Sequence, residues 1–186
     1  LTLPLDFEIK NLQNAGLNLK DIPSSKLAST LASLLDPSLT WNDIDWLRSI
    51  TRLPLILKGL MNPKDIQIAV MYDIETLIIS NHGGRQLDTS LSSIETLKLM
   101  RGLDKGKMEF ILDGGVRKRV DILKALALGA KAVMVGRPIL WGLAVGGEDG
   151  VKKVLAILKA ELDLAMALCG YTSINQINEE VLYFPG

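Results

Sequence analysis

The chain has a single cysteine, Cys169, which excludes an internal disulfide and fits a reducing compartment. Cys169 closes an apolar helical pattern, so a packing role is expected for it. As a nucleophile it would need a histidine, and the one histidine of the chain lies far away in sequence. There is no excess of charge either. The 21 basic and 21 acidic residues balance, without a run of either sign, which excludes broad attraction to nucleic acid or anionic lipid. No apolar stretch is long enough to span a bilayer. Leu1-Thr2-Leu3-Pro4 has neither a basic region nor a cleavage site, and Phe184-Pro185-Gly186 is no peroxisomal address, so a cytoplasmic setting is expected. The first residue is not methionine, and a fragment or a processed product is the expectation.

What is present is ordinary globular composition, with 48% of residues apolar and 23% charged, in a length that supports one hydrophobic core. The first forty residues, punctuated by Pro4, the 11–16 stretch and Pro23-Ser24-Ser25, read as loop and short helix. Thr40-Trp41-Asn42-Asp43 predicts a helix start, with Thr40 as cap and Asp43 as the acid of a capping box. Four short apolar runs follow: Leu53–Leu57, Thr76–Ser80, Glu109–Leu112 and Ala132–Val135. Helical patterns come after them, near Pro63–Met71, Ser92–Met100, Lys118–Leu128 and, beyond a short turn, Asp149–Leu168. In the last of these Val151, Val154, Leu155, Leu158, Leu162 and Met166 share one face. Strands that are apolar throughout and alternate with helices predict a parallel sheet covered on both sides. The pattern fits half of a (β/α)8 barrel or a small open sheet.

The chemistry-bearing residues sit where the strands end. The runs close on Lys58-Gly59, on Ser80-Asn81-His82-Gly83-Gly84-Arg85, on Asp113-Gly114-Gly115-Val116-Arg117 and on Gly136-Arg137-Pro138. Ligands in barrels and open α/β sheets bind beyond these carboxyl ends. Two glycine turns in consecutive units, each opening a helix and each with an arginine, predict a phosphate site. An imidazole at His82 suits proton abstraction near neutral pH, and the Arg85 guanidinium beside it suits a substrate carboxylate. Oxidation of a hydroxy acid needs that pair. Lys58 ends an apolar strand and reads as a buried cation awaiting an anion, a Schiff-base lysine, or a lysine reaching solvent.

Ser80-Asn81-His82-Gly83-Gly84-Arg85-Gln86-Leu87-Asp88 resembles the motif of the FMN-dependent 2-hydroxy-acid oxidases and dehydrogenases. Glycolate oxidase, lactate oxidase and mandelate dehydrogenase belong to that group. Leu112-Asp113-Gly114-Gly115-Val116-Arg117, the 125–130 stretch and the 136–144 stretch are similar too, and the likeness runs from about Trp41 to Gly170. The resemblance implies a TIM-type (β/α)8 barrel of which this chain carries about strands five to eight. Its implied organisation is an irregular segment over 1–40, an FMN-binding half-barrel over 41–170 and a tail over 171–186. It implies that Lys58 and Ser80 contact the flavin ring and that Asp113 binds the ribityl chain. Gly114, Gly115, Val116 and Arg117, with Gly136 and Arg137, would hold the FMN phosphate. His82 would be the base, by a proton or a hydride route, and would bind substrate together with Arg85. No metal is implied.

The expected activity is therefore FMN-dependent oxidation of a small 2-hydroxy acid to the 2-oxo acid. The expected partners are that substrate and either a second copy of the chain or a complementing N-terminal half. Two other readings stand beside it: a non-catalytic half-barrel or assembly subunit, and a phosphate-ligand barrel lyase using Lys58. The family's four earlier strands, with two tyrosines, a further arginine and an aspartate that orients the histidine, have no counterpart in this chain. Arg119-Val120 replace a usual Gly-Thr, Asp73 replaces a usual glycine, and Tyr171 replaces a usual cysteine. A half-barrel on its own would expose two long strand edges.

Overall fold

The computed structural model describes residues 36–184 and, before them, residues 13, 14, 16, 22, 23, 25, 26, 29, 30 and 33. Most of the segment read as irregular, 1–40, therefore lies outside the described residues. The chain divides into two units, Leu1–Arg52 and Leu53–Gly186.

The first unit contributes helix α1 (Asp43–Ile50), whose entry differs in detail from the sequence reading. Asn42 occupies the cap position without a side-chain hydrogen bond. The Asp43 carboxylate instead receives the Thr40 amide at 2.6 Å and the Thr40 hydroxyl at 3.1 Å. Half of the expected capping box is thus made, two residues before the observed cap.

The second unit repeats strand and helix: β1 (Ile56–Lys58), α2 (Lys64–Met71), β2 (Thr76–Ser80), α3 (Ser93–Met100), β3 (Glu109–Asp113), α4 (Arg119–Ala127), β4 (Ala130–Met134) and α5 (Arg137–Leu168). All strand pairs are parallel and the spatial order is β1-β2-β3-β4. That order separates the two architectures left open by periodicity. A doubly wound open sheet reverses its strand order at a switch point, whereas a barrel adds each strand beside the last. The sheet is a barrel segment.

Registers align Ser80 with Asp113 and Asp113 with Met134, so these three lie in one rank at the carboxyl ends. Alternation then assigns the two faces. Leu77, Ile79, Phe110 and Leu112 are buried on one face, together with Leu97 and Met100 of α3 and Leu123, Ala125 and Ala127 of α4. α3 packs on β2 and β3, and α4 on β4 and α5. On the other face Ile78 and Ile111 are half-buried and Ile56 is 49% exposed. Coverage on both sides, expected from the apolar runs, is complete only on the helical side. One outer strand is also short: β1 has three residues, against five in each of the others. Pro54 has no N–H for a ladder, which explains why the run from Leu53 becomes a strand only at Ile56.

α3 is stopped and started by chemistry. Ser92 caps it with the Glu95 amide, and the Glu95 carboxylate accepts from the Ser92 amide at 3.0 Å, a reciprocal box of about 1 kcal/mol. In α5 the segment read as a short turn is helical from Arg137, with Pro138 in the first turn, where its missing N–H is harmless. Five glycines between 136 and 150 lowered its apparent helix propensity. Gly146 (φ −147°) and Gly147 (φ 55°) break the element into two. The halves meet so closely that a Cβ on Gly150 would stand 1.9 Å from the Gly142 carbonyl oxygen.

The predicted apolar face of α5 holds in part. Leu158 and Met166 are buried with Ala165, but Leu155 is 52% exposed. Cys169, expected to pack, is exposed instead. It lies beyond the last helical residue, and Tyr171 folds back against Leu123, Ala165 and Met166 with Leu162 and Ile177. The following segment is tied down by an Arg101–Glu179 ion pair and by Lys98 over the Phe184 ring at 4.2 Å.

Candidate active site

The β2 strand delivers Ser80, almost fully buried, against Lys58 and Asp113, which line a cleft. Its hydroxyl donates to Asp113 Oδ2 at 2.6 Å and accepts from Lys58 Nζ at 3.0 Å and from the His82 amide at 3.1 Å. Lys58 Nζ also lies 3.0 Å from Asp113 Oδ2. Burial pushes the Asp113 carboxyl up, but the Ser80 hydroxyl, the Lys58 ammonium and, least, the charge of His82 outweigh it, and the pKa lies below its ordinary value. Lys58 is thus paired with a hydroxyl and a carboxylate, which accounts for a cation at the end of this strand without a Schiff-base role.

Beyond Ser80 the chain turns sharply. His82 (φ 55°), Gly83 (φ 66°) and Gly84 (φ 73°) are all left-handed. For a non-glycine such as His82 that conformation costs roughly 1–2 kcal/mol. Asn81 holds the turn: its Oδ1 accepts from the Gly83 amide at 3.0 Å and its carbonyl from Gly84 at 3.0 Å. Asn81 is itself anchored, donating its amide to Ser93 Oγ at 3.2 Å and its Nδ2 to the Leu91 carbonyl at 3.3 Å. A backbone strained at one chemically apt residue, and held there by several hydrogen bonds, is common at functional sites.

The next two strand ends complete the cleft. Gly114 (φ 105°) and Gly115 (φ 78°) adopt conformations that side chains rarely take. A Cβ on Gly114 would approach Ser93 Oγ to 2.9 Å and Asn81 Oδ1 to 3.0 Å, so the β3 turn is packed directly on the β2 turn. The Arg117 and Lys118 amides both donate to Asp121 Oδ2 at 2.9 Å. The Arg117 amide is therefore committed to its own helix, and Arg117 contributes through its guanidinium, which lies 5.9 Å from the Trp141 ring centre. Arg137, opening α5, donates Nη2 to the Gly83 carbonyl at 3.3 Å.

The cleft encloses about 190 Å³, and every site residue named from the sequence except Ser80 lines it: Lys58, His82, Arg85, Asp113, Gly114, Gly115, Val116, Arg117, Gly136 and Arg137. Four cations face one carboxylate there. Such a concavity selects anions.

The model of the FMN-dependent dehydrogenase family matches residues 3–184. The chain belongs to that family. It is 55% identical over 153 residues to a 2-hydroxyacid oxidase of Dictyostelium discoideum, covering 82% of this chain and 39% of that protein. With an L-lactate oxidase of Nostoc it shares 45% identity over 183 residues, which is 97% of this chain and 50% of the oxidase. A solved mandelate oxidase variant carrying a monooxide FMN adduct superposes with a TM-score of 0.72 at 42% identity, over 76% of this chain and 45% of that one. The chain thus spans about half the length, or less, of these relatives.

Seen as an FMN-dependent dehydrogenase segment, the site has members to which the sequence reading gave no role. Gly83, Met134, Pro138 and Leu140 also line the cleft, and Asn81 and Ser93 brace its turns. Asn81 carried a readable signal, since asparagine before left-handed residues makes side-chain turns. Met134 and Ser93 carried none, because strand register and helix docking bring them in.

Proposed function

We propose that this chain is the FMN-binding C-terminal half of an enzyme that oxidises a small 2-hydroxy acid to the 2-oxo acid. One observation carries the reading: His82 and Arg85 share a cleft with two glycine-arginine turns, and its four cations face a single carboxylate. A phosphate and a substrate carboxylate together match that surplus of positive charge.

The residues present fit FMN. The turns at Gly114–Val116 and Gly136 offer backbone N–H groups, and Arg117 and Arg137 offer guanidinium forks for a phosphate. Lys58 and Asp113, tied together by the buried Ser80 hydroxyl behind them, give the cleft one cation and one carboxylate suited to the flavin ring and ribityl chain. FMN, when bound, supplies the acceptor for the two electrons that leave the substrate. The Arg85 guanidinium binds the substrate carboxylate and orients its α-carbon. His82 takes the proton lost by the substrate, from a turn that holds the imidazole over the cleft without a flexible tether.

A barrel needs eight strands, and among the described residues the sheet has four, with β1 and β4 outermost. We infer that four further β/α units close it between these edges, in keeping with relatives about twice as long.

The test is FMN against riboflavin, added to the purified chain and followed by flavin fluorescence and the visible spectrum. Preference for FMN by tenfold or more, lost in Arg117→Ala and Arg137→Ala, supports the phosphate site. Equal binding of the two flavins, or none after the closing units are supplied, rejects it. Bleaching of the bound flavin by lactate or glycolate then tests the oxidation itself.

A further inference from the structure

Arg137 stands between two parts of the cleft that the proposed function treats separately. It opens α5 in the phosphate turns, yet its Nη2 donates to the carbonyl of Gly83, in the turn that carries His82. The contact is more than one hydrogen bond. A Cβ on Gly83 would lie 3.0 Å from Nη2, 3.5 Å from Cζ and 3.9 Å from Nε, so the Nη2 corner of the guanidinium is pressed against the glycine. Glycine suits this position by its left-handed φ of 66°, and its lack of a side chain lets Nη2 come this close.

A guanidinium has five N–H donors in a planar fork, and one contact to Gly83 leaves others for an anion in the cleft. Arg137 itself is exposed. With Gly83 its one hydrogen-bond partner among the described residues, an exposed side chain of this length retains much rotamer freedom. An anion bound on the other side would fix the fork at two points and hold the donor against the Gly83 carbonyl. His82 precedes Gly83 directly, in a conformation that non-glycine residues rarely adopt, so whatever holds Gly83 holds the backbone from which the imidazole projects.

We propose that Arg137 is a positioning residue that couples anion occupancy of the phosphate turns to the left-handed turn carrying His82. This rests on the phosphate reading given above. Arg117 has a different anchor, the Trp141 ring, and serves the anion alone. A lysine at 137 would keep the charge but lose the fork, and with it the second contact.

The probe is inorganic phosphate, titrated into the 186-residue chain against chloride at matched ionic strength. Amide shifts of Gly115 and Gly136 report binding. Hydrogen-exchange protection of the Gly84 amide, which donates to the Asn81 carbonyl at 3.0 Å, reports closure of the turn. The sole histidine gives one unambiguous set of imidazole resonances as a second reporter. In the wild type, saturating phosphate should raise Gly84 protection by about fivefold or more. In Arg137→Lys, saturation should leave it within about twofold of the free chain. In Arg117→Lys the affinity should fall, while the full gain in protection returns at saturation. Should the Arg137→Lys chain no longer bind, the Arg117→Lys chain decides alone, because loss of the gain there too makes the coupling unspecific. Shifts at Gly115 and Gly136 without any change at Gly84 overturn the coupling and spare the phosphate site. No shift at any of the three removes the phosphate reading and this inference with it.

Discussion

The Ser80 hydroxyl donates to Asp113 at 2.6 Å from a position that is 3% exposed, while accepting from Lys58 and from the His82 amide. Its one proton and both lone pairs are therefore used. Two strand ends and the following turn meet on a single oxygen atom.

Ser80→Ala removes all three hydrogen bonds and leaves the His82 amide and part of the Asp113 carboxylate unsatisfied. The expected loss is about 1–3 kcal/mol of stability, measured by urea unfolding. A loss below about 0.5 kcal/mol would mean that the network is replaced by water at no cost.

Asp113 also sets a pH dependence. Its folded pKa lies below the ordinary 3.8, so the folded state holds its proton less tightly than the unfolded chain does. The stabilisation is complete above that ordinary value and is lost as pH falls through the lower folded value. Other carboxylates contribute to acid unfolding, so the relevant quantity is the difference between wild type and Asp113→Asn. That difference should be flat from pH 7 down to about pH 5 and shrink below about pH 4. A difference that changes around neutrality would contradict the assignment.

Gly114 and Gly115 are both left-handed but should respond differently to alanine. Gly114→Ala meets Ser93 Oγ and Asn81 Oδ1, whereas a Cβ on Gly115 has nothing within 4 Å. Backbone strain alone costs Gly115→Ala about 1 kcal/mol. Gly114→Ala adds overpacking, for a total nearer 2–4 kcal/mol. Equal costs for the two would show that the β2 and β3 turns do not pack as described.

Asp73 is left-handed at φ 47°, where the resemblance marked a glycine as usual. Aspartate tolerates this region better than most residues but not without cost. Asp73→Gly relieves that strain but adds freedom to the unfolded chain and removes the interaction Asp73 makes, so the net change in stability should stay within about 1 kcal/mol. Thermal unfolding measures it, and a shift worth more than about 2 kcal/mol would refute it.

His82→Asn should separate chemistry from architecture. Asparagine accepts the left-handed turn, so flavin binding should persist while kcat falls by about 10²–10⁴. Arg85→Ala should instead raise KM for the hydroxy acid by about ten- to a hundredfold, the worth of a charged hydrogen bond. Loss of flavin from either variant would place that residue in the cofactor site.

Local sequence determined the strand-helix alternation, the β2 strand over Thr76–Ser80 and the helix following Ser92, because period and capping act over a few residues. It also marked Lys58, His82, Arg85, Arg117 and Arg137 at strand ends, where chemistry collects. The glycines of 136–150 hid the first half of α5, since propensity is a local average and helix packing overrides it. Cys169 followed the apolar period yet faces outward, because Tyr171 occupies the place against Ala165 and Met166. Only tertiary structure decided that the strands stack in chain order, that Ser80 and Asp113 share a rank, and that Arg137 reaches across to Gly83. Those relations join residues 33 and 54 positions apart, and no local pattern encodes a register between distant strands.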